Sequence, residues 1–215
     1  MAESPVLAWL LDSDEPWTRC RAHLDLLGAS PDDPAPAQAR REMLAHPAVR
    51  GLLTAAGTWG DLPVRRHNDA SHSLYALATL ADFGLRHTDS GMEILIGRVL
   101  AHQSPEGAFQ SVINVPKAFG GDDTDRWTWM PCDAPTLLYS LASFGLDADP
   151  RLQAAVAHLA GLVNENGWRC VCAPELGRFH GPGRNDDPCP VANLYALKAL
   201  SLFPEWRASA PVRAG

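Results

Sequence analysis

The sequence predicts an all-α fold of helical pairs that repeat about every 60 residues and close only part of a ring. Three observations carry this. Runs of alternating β-branched or aromatic residues bounded by hairpin turns are nearly absent, so strands have little to build on. Apolar residues return instead with helical period: Leu74, Leu77, Ala78, Ala81 and Leu85 share one face, as do Leu138, Leu141, Ala142 and Leu146, and then Leu194, Leu197 and Leu200. The third observation is the repeat itself. Leu74-Tyr75-Ala76-Leu77 returns as Leu138-Tyr139-Ser140-Leu141 and as Leu194-Tyr195-Ala196-Leu197, at offsets of 64 and 56 residues. A fixed period with two helices per unit marks a helical solenoid or toroid, in which each unit buries its apolar face only against its neighbours.

From the amino terminus, Pro5 to Leu11 and Trp17 to Leu27 read as a helix pair, and Pro31-Asp-Asp-Pro-Ala-Pro36 reads as a linker because of its clustered prolines. Ala37 to Ala56 reads as a second pair, ending at Gly57-Thr-Trp-Gly60. Inner helices are expected to start near residues 69, 132 and 189. The partner of the first runs from Gly91 to Gln103 and that of the second from Pro150 to Val163. Gln103-Ser-Pro-Glu-Gly107-Ala-Phe109 is answered 60 residues later by Val163-Asn-Glu-Asn-Gly167-Trp168-Arg169, and both glycines suit a chain that turns through positive φ after a helix. The chain thus divides into an amino-terminal helical segment (1–62), the repeats (63–204) and a tail (205–215) with little pattern, where disorder is expected. Two full units and a half fall short of a closed ring, so more chain or a second subunit is expected to complete it.

The 215 residues carry 18 Lys and Arg against 25 Asp and Glu, a net charge of −7. That balance, with no cluster of Lys and Arg, argues against nucleic acid or an anionic membrane as a partner. No stretch nears the roughly 18 apolar residues of a membrane span. Glu3 stands where a signal peptide would be positive, so a soluble, cytoplasmic protein is the expectation. The five cysteines, Cys20, Cys132, Cys170, Cys172 and Cys189, then read as reduced thiols. Four of the five fall between residues 132 and 189.

Apolar faces account for the helices and leave the residues just before them unexplained. Five or six positions ahead of each repeated leucine stand Asn68 and Asp69, then Cys132 and Asp133, then Pro188 and Cys189. Asp69 and Asp133 are good N-caps, and Pro190 after a cap is ordinary. Cysteine is not a favoured cap, so Cys132 and Cys189 want another reason; two thiolates and an imidazole with an open position suit zinc. Cys170, in Trp168-Arg-Cys170-Val-Cys172, is a further candidate ligand if its loop folds back. An iron–sulfur cluster is the alternative, although the spacing of these cysteines matches neither ferredoxin pattern.

Over residues 48 to 203 the helical pairs with glycine-aromatic endings resemble the α/α-toroid superfamily of squalene/terpene cyclases and protein prenyltransferase β-subunits. In those β-subunits an Asp-x-Cys pair and a His from a D-x-x-H-x-x-Y-x-L-x-x-L helix hold zinc. Asp187-Pro188-Cys189 resembles the first, and the segment from Asp69 through His72, Tyr75 and Leu77 to Leu80 resembles the second, with His72 preceding Cys189 here. The resemblance implies an incomplete α/α-toroid, a zinc ion on His72, Cys132, Asp187 and Cys189, and a cavity of Leu, Trp and Phe side chains for an isoprenoid or other apolar substrate.

Squalene-type cyclases protonate an alkene with a D-x-D-D-T acid. Gly121-Asp122-Asp123-Thr124-Asp125 keeps only D-D-T and reads as a solvated turn. The Pro174 to Asp187 loop carries Arg178, His180 and Arg184 among glycines; it reads either as a plain connection or as a flap whose cations bind an anionic substrate group such as a diphosphate. Arg65, Arg66 and His67 form a similar basic patch before the first inner helix, whose N-terminus favours an anion. Two functions follow: a metal-dependent transferase or cyclase of the toroid type, or a non-catalytic helical-repeat scaffold that binds other proteins.

Overall fold

The computed structural model describes residues 4–65, 69–177, 179 and 186–214. The chain is predominantly helical. Helices α1 (Pro5–Leu11), α2 (Pro16–Arg21, continued by a π-turn over Ala22–Leu26), α3 (Pro34–Ala45) and α4 (Pro47–Gly57) lead into α5 (Ser73–Phe83) and α6 (Met92–Leu100). Two short antiparallel strands follow, β1 (Ser111–Ile113) and β2 (Arg126–Thr128), with Val112 opposite Trp127. Then come α7 (Ala134–Leu141, continued by a π-turn over Ala142–Leu146), α8 (Pro150–Gly161), α9 (Pro190–Leu200) and α10 (Ala210–Ala214).

Proline sets many of these starts. It opens α1, α2, α3, α4, α8 and α9, where its missing N–H costs nothing and its fixed φ is already helical. This is why α3 begins at Pro34, inside the stretch expected to be a linker. Asp149 caps α8 by accepting from the Arg151 N–H at 2.9 Å.

Helices α4, α5, α7 and α9 pack in succession, each against the next. The core between them holds Trp59, Leu74, Leu77, Leu80, Phe109, Leu137, Leu138, Phe144, Leu159, Trp168 and Phe203. Trp168 is fully buried and its indole N–H donates to the Leu159 carbonyl at 2.7 Å, which satisfies the polar edge of a core ring. Gly107 and Gly167 both have φ near 100°, at 104° and 102°. A Cβ on Gly107 would lie 2.8 Å from the Ala154 carbonyl oxygen, and one on Gly167 would overlap the Asn193 side chain. Each glycine lets its loop close against the following helix, α8 for Gly107 and α9 for Gly167.

Three features depart from the sequence-based expectation. The strands β1 and β2 are three residues each, too short for their alternation to stand out. In α9 the buried residues are Ala192, Ala196, Ala199 and Leu200, while Leu194 is 61% exposed. Alanines let α9 approach the bulky leucines of α7, and that contact turns the expected apolar face aside. The carboxyl-terminal tail is ordered: Trp206 and Val212 pack on the core, and the Arg207 Nε donates to the Ser201 carbonyl at 2.7 Å. No helix among the described residues is long and apolar enough to cross a membrane.

Candidate functional site

The starts of α5, α7 and α9 are where the sequence concentrates its chemistry. At the first, the Ser71 N–H and hydroxyl donate to Asp69 Oδ1 at 3.2 and 2.5 Å, and the Ser71 hydroxyl leads the effects that hold this carboxyl below its usual range. Asp69 therefore shapes the approach, and the cap itself is His72. The Leu74 N–H donates to His72 Nδ1 at 3.2 Å, and His72 Nε2 lies 3.2 Å from the Leu62 carbonyl oxygen. With Nδ1 accepting, the proton sits on Nε2 and is donated to Leu62. Both ring nitrogens of this buried imidazole are thus engaged in holding the chain.

At the second start Cys132 is 2% exposed, packed with Ile113, Val115, Met130 and Leu176. Burial raises its thiol pKa well above the ordinary value, and the negative charges of Asp133, Cys170 and Cys189 raise it further. At the third start, Cys189 is the N-cap position of α9, and its N–H donates to the Trp168 carbonyl at 2.8 Å. Arg169 and Pro188 form an antiparallel bridge there. Arg169 Nη1 meets Asp186 at 2.8 Å, and the Val171 N–H donates to the Arg169 carbonyl at 2.9 Å, a tight turn centred on Cys170. Trp168 is buried, Cys170 and Cys189 are half-buried, and Asp187 is exposed.

The remaining cysteines point elsewhere. The Cys172 thiol donates to the Phe179 carbonyl at 3.2 Å, within its own loop, and burial raises its pKa. Cys20 is buried near the Pro36 carbonyl oxygen, and burial raises it too. Arg178, His180 and Arg184, the expected anion ligands, lie outside the described residues, as do Arg66, His67 and Asn68. Among the described residues, no group of three or more His, Cys, Asp or Glu side chains stands ready to hold a metal ion.

The repeated tyrosines form a second polar line along the same three helices. The Tyr139 hydroxyl donates to Asp82 Oδ1 at 2.5 Å, and Lys198 Nζ donates to the two Asp82 oxygens at 2.8 and 3.0 Å. The same ammonium lies 4.1 Å from the centre of the Tyr139 ring, a cation–π contact. Burial raises the Tyr139 pKa and Asp82 adds to it; burial pulls Lys198 down, but Asp82 outweighs this and its pKa is raised. Tyr75 and Tyr195 are both pushed up, chiefly by burial, and the Asp133 charge acts on both. In the sequence these tyrosines stand only as markers of the repeat, because the link of Tyr139 to Asp82 and Lys198 joins three helices far apart in the chain and leaves no local signal.

The Asp-Asp-Thr segment is an exposed turn between β1 and β2. Asp122 pairs with Arg126 and accepts from the Thr124 N–H at 3.1 Å, while Asp125 Oδ1 accepts from Asn114 Nδ2 at 2.6 Å. A cavity beside α7 and α8, lined by Phe109, Trp129, Leu138, His158 and Leu162 among others, measures about 10 Å³. That is room for about one water. A wider cleft of about 330 Å³ lies at the amino-terminal helices, between Leu10, Trp17, Arg21 and Leu26. Searches with this chain against protein-family models, curated proteins and solved structures match nothing.

Proposed function

We propose that this chain is a toroid-type helical array of the terpene cyclase and prenyltransferase β-subunit kind, with α5, α7 and α9 as inner helices facing an isoprenoid or similar apolar substrate. The observation that carries the reading is that the three repeated Leu-Tyr-x-Leu helices pack side by side in chain order, with their chemically distinctive residues at equivalent starts. The cavity beside α7, of about 10 Å³, is far below the roughly 300 Å³ at which ligand sites begin. The substrate would therefore sit against the exposed inner face, walled on its far side by a second subunit. Asp82 and Lys198, paired on that face, would orient its polar end.

The test is titration of the protein with an allylic isoprenoid diphosphate and with the corresponding alcohol, followed by tryptophan fluorescence, with product analysis before and after chelation. Saturable binding and chelator-sensitive product formation are expected. Absence of binding to either compound overturns the reading.

A second reading, a non-catalytic scaffold that binds another protein, is favoured by one observation. Leu26 is exposed and lines the cleft of about 330 Å³ at the amino-terminal helices, and Val6, Trp9 and Leu27 are exposed in the same segment of chain. Exposed apolar residues gathered in one segment suit a contact surface. Under this reading Trp9→Ser abolishes partner capture and leaves isoprenoid binding absent throughout.

A further inference from the structure

We infer that a second copy of this chain docks on it head to tail, the exposed face of α9 in one copy packing into the cleft beside α1 in the other. Leu74, Leu138 and Leu194 are equivalent positions of the three Leu-Tyr-x-Leu helices. The first two are 0% and 1% exposed, whereas Leu194 is 61% exposed. Leu138 meets Ala155, His158 and Leu159 of α8, the twelve-residue helix that follows it, around their small cavity. The helix that follows α9 has only five residues. Leu194 therefore lacks the amphipathic helix that covers its counterpart, and Pro190 and Leu197, four residues before it and three after, extend the same face.

A matching face lies at the other end of the packing order. Helix α1 buries none of its residues, Val6 and Trp9 project from it, and the cleft of about 330 Å³ opens between Leu10, Trp17 and Leu26. Both faces are exposed, so one chain does not cover the first with the second. Charge selects the same pairing. Residues 4–33 carry Asp12, Asp14, Glu15, Asp25, Asp32 and Asp33 against Arg19 and Arg21, and Asp12 and Asp14 stand exposed in the turn that ends α1. Over residues 190–214 the balance is reversed, with Lys198, Arg207 and Arg213 against Glu205. The bond from Arg207 to the Ser201 carbonyl holds that cation at the carboxyl end of α9, one turn beyond Leu197. Two like ends brought together would repel and leave the opposite faces bare, so the favoured contact is between unlike ends.

This contact supplies the second subunit that the proposed function invokes, but it stands on helix packing and charge and not on the isoprenoid. It is tested by the mass of the full chain in solution, followed by sedimentation equilibrium over a concentration series reaching about 1 mM. The wild-type mass should rise above that of one chain. Leu194→Asp and Trp9→Asp should each stay at one chain with unaltered helical circular dichroism, because each spoils one side of the contact and neither residue supports the single fold. Mixed in equal amounts, the two variants should recover a two-chain complex at the upper concentrations, since the first keeps an intact α1 cleft and the second an intact α9 face. Ile94→Asp, at a residue of α6 that is 77% exposed and belongs to neither face, should associate like the wild type. A wild-type chain that stays at the mass of one chain, a Leu194 or Trp9 variant that still associates alone, or a mixture that does not pair overturns the inference. A monomeric chain that binds isoprenoid overturns the second copy alone; an assembly that binds none overturns the proposed function alone.

Discussion

Helices α1 and α7 are nearly equal in length and both rich in leucine, yet their fates are opposite. Every residue of α7 from Pro135 to Leu141 is buried, including the hydroxyl-bearing Thr136 and Ser140, whereas α1 buries none. The polar groups of α7 are satisfied within the helix: the Thr136 hydroxyl donates to the Cys132 carbonyl at 3.0 Å and the Ser140 hydroxyl to the Thr136 carbonyl at 2.8 Å. Helix α7 packs on both α5 and α9; α1 leans chiefly on α2 and its π-turn. Burial here is decided by the number of neighbouring helices, and apolar content only permits it.

The largest test of that contrast is a truncation in the middle helix. Leu138→Ala removes a fully buried side chain packed from two sides and should cost about 2–5 kcal/mol in chemical denaturation. If the loss is below about 1 kcal/mol, the middle of the array is not its stability centre.

Next in size is Gly167→Ala, which should cost more than about 1 kcal/mol. Its φ of 102° disfavours a side chain, and the new methyl would displace Asn193. Asn193 Oδ1 accepts from the Trp168 N–H and its Nδ2 donates to the Trp168 carbonyl, so the disturbance reaches the bridge that carries Cys170 and Cys189. Combining it with Asn193→Ala should recover part of the cost. Strict additivity would separate the turn from the α9 clamp.

A smaller effect is expected from pH. Burial lowers the pKa of His102 and of His158, both in the repeats, from an ordinary value of 6.5. The unfolded chain therefore binds more protons than the folded one below about pH 6.5. The stability these neutral imidazoles contribute is present above that pH and is lost as pH falls through their folded values. Denaturation midpoints compared at pH 7.5 and 5.5 should drop on acidification, and His158→Gln should flatten the dependence; an unchanged slope assigns it to other groups.

The smallest change belongs to α1. Trp9 is 72% exposed, and Trp9→Ser should move stability by no more than about 0.5 kcal/mol. A loss comparable to that of Leu138→Ala would mean that α1 is covered in solution by something the single chain does not supply.

Much of the helical layout was legible because it is local. Periodicity and proline position located α1 and α8 to within a few residues, and positive φ at Gly107 and Gly167 followed from their place after a helix. The candidate site was half legible. Clustering singled out Cys132, Cys170 and Cys189, but a histidine opening a helix looks the same in sequence whether it binds a metal or caps the backbone. The Leu62 carbonyl ten residues earlier resolves His72, and nothing local announces that contact.

Residue spacing therefore determined that this chain forms short helices, where they begin, and which turns need glycine, since those choices depend on backbone sterics and bonds within a few residues. The tertiary structure alone decided which apolar faces are covered, that Ala192, Ala196 and Ala199 of α9 are buried while Leu194 is not, and that Arg169 pairs with Pro188. Those outcomes depend on neighbours far away in the chain, whose closeness is created by packing and leaves no periodic trace.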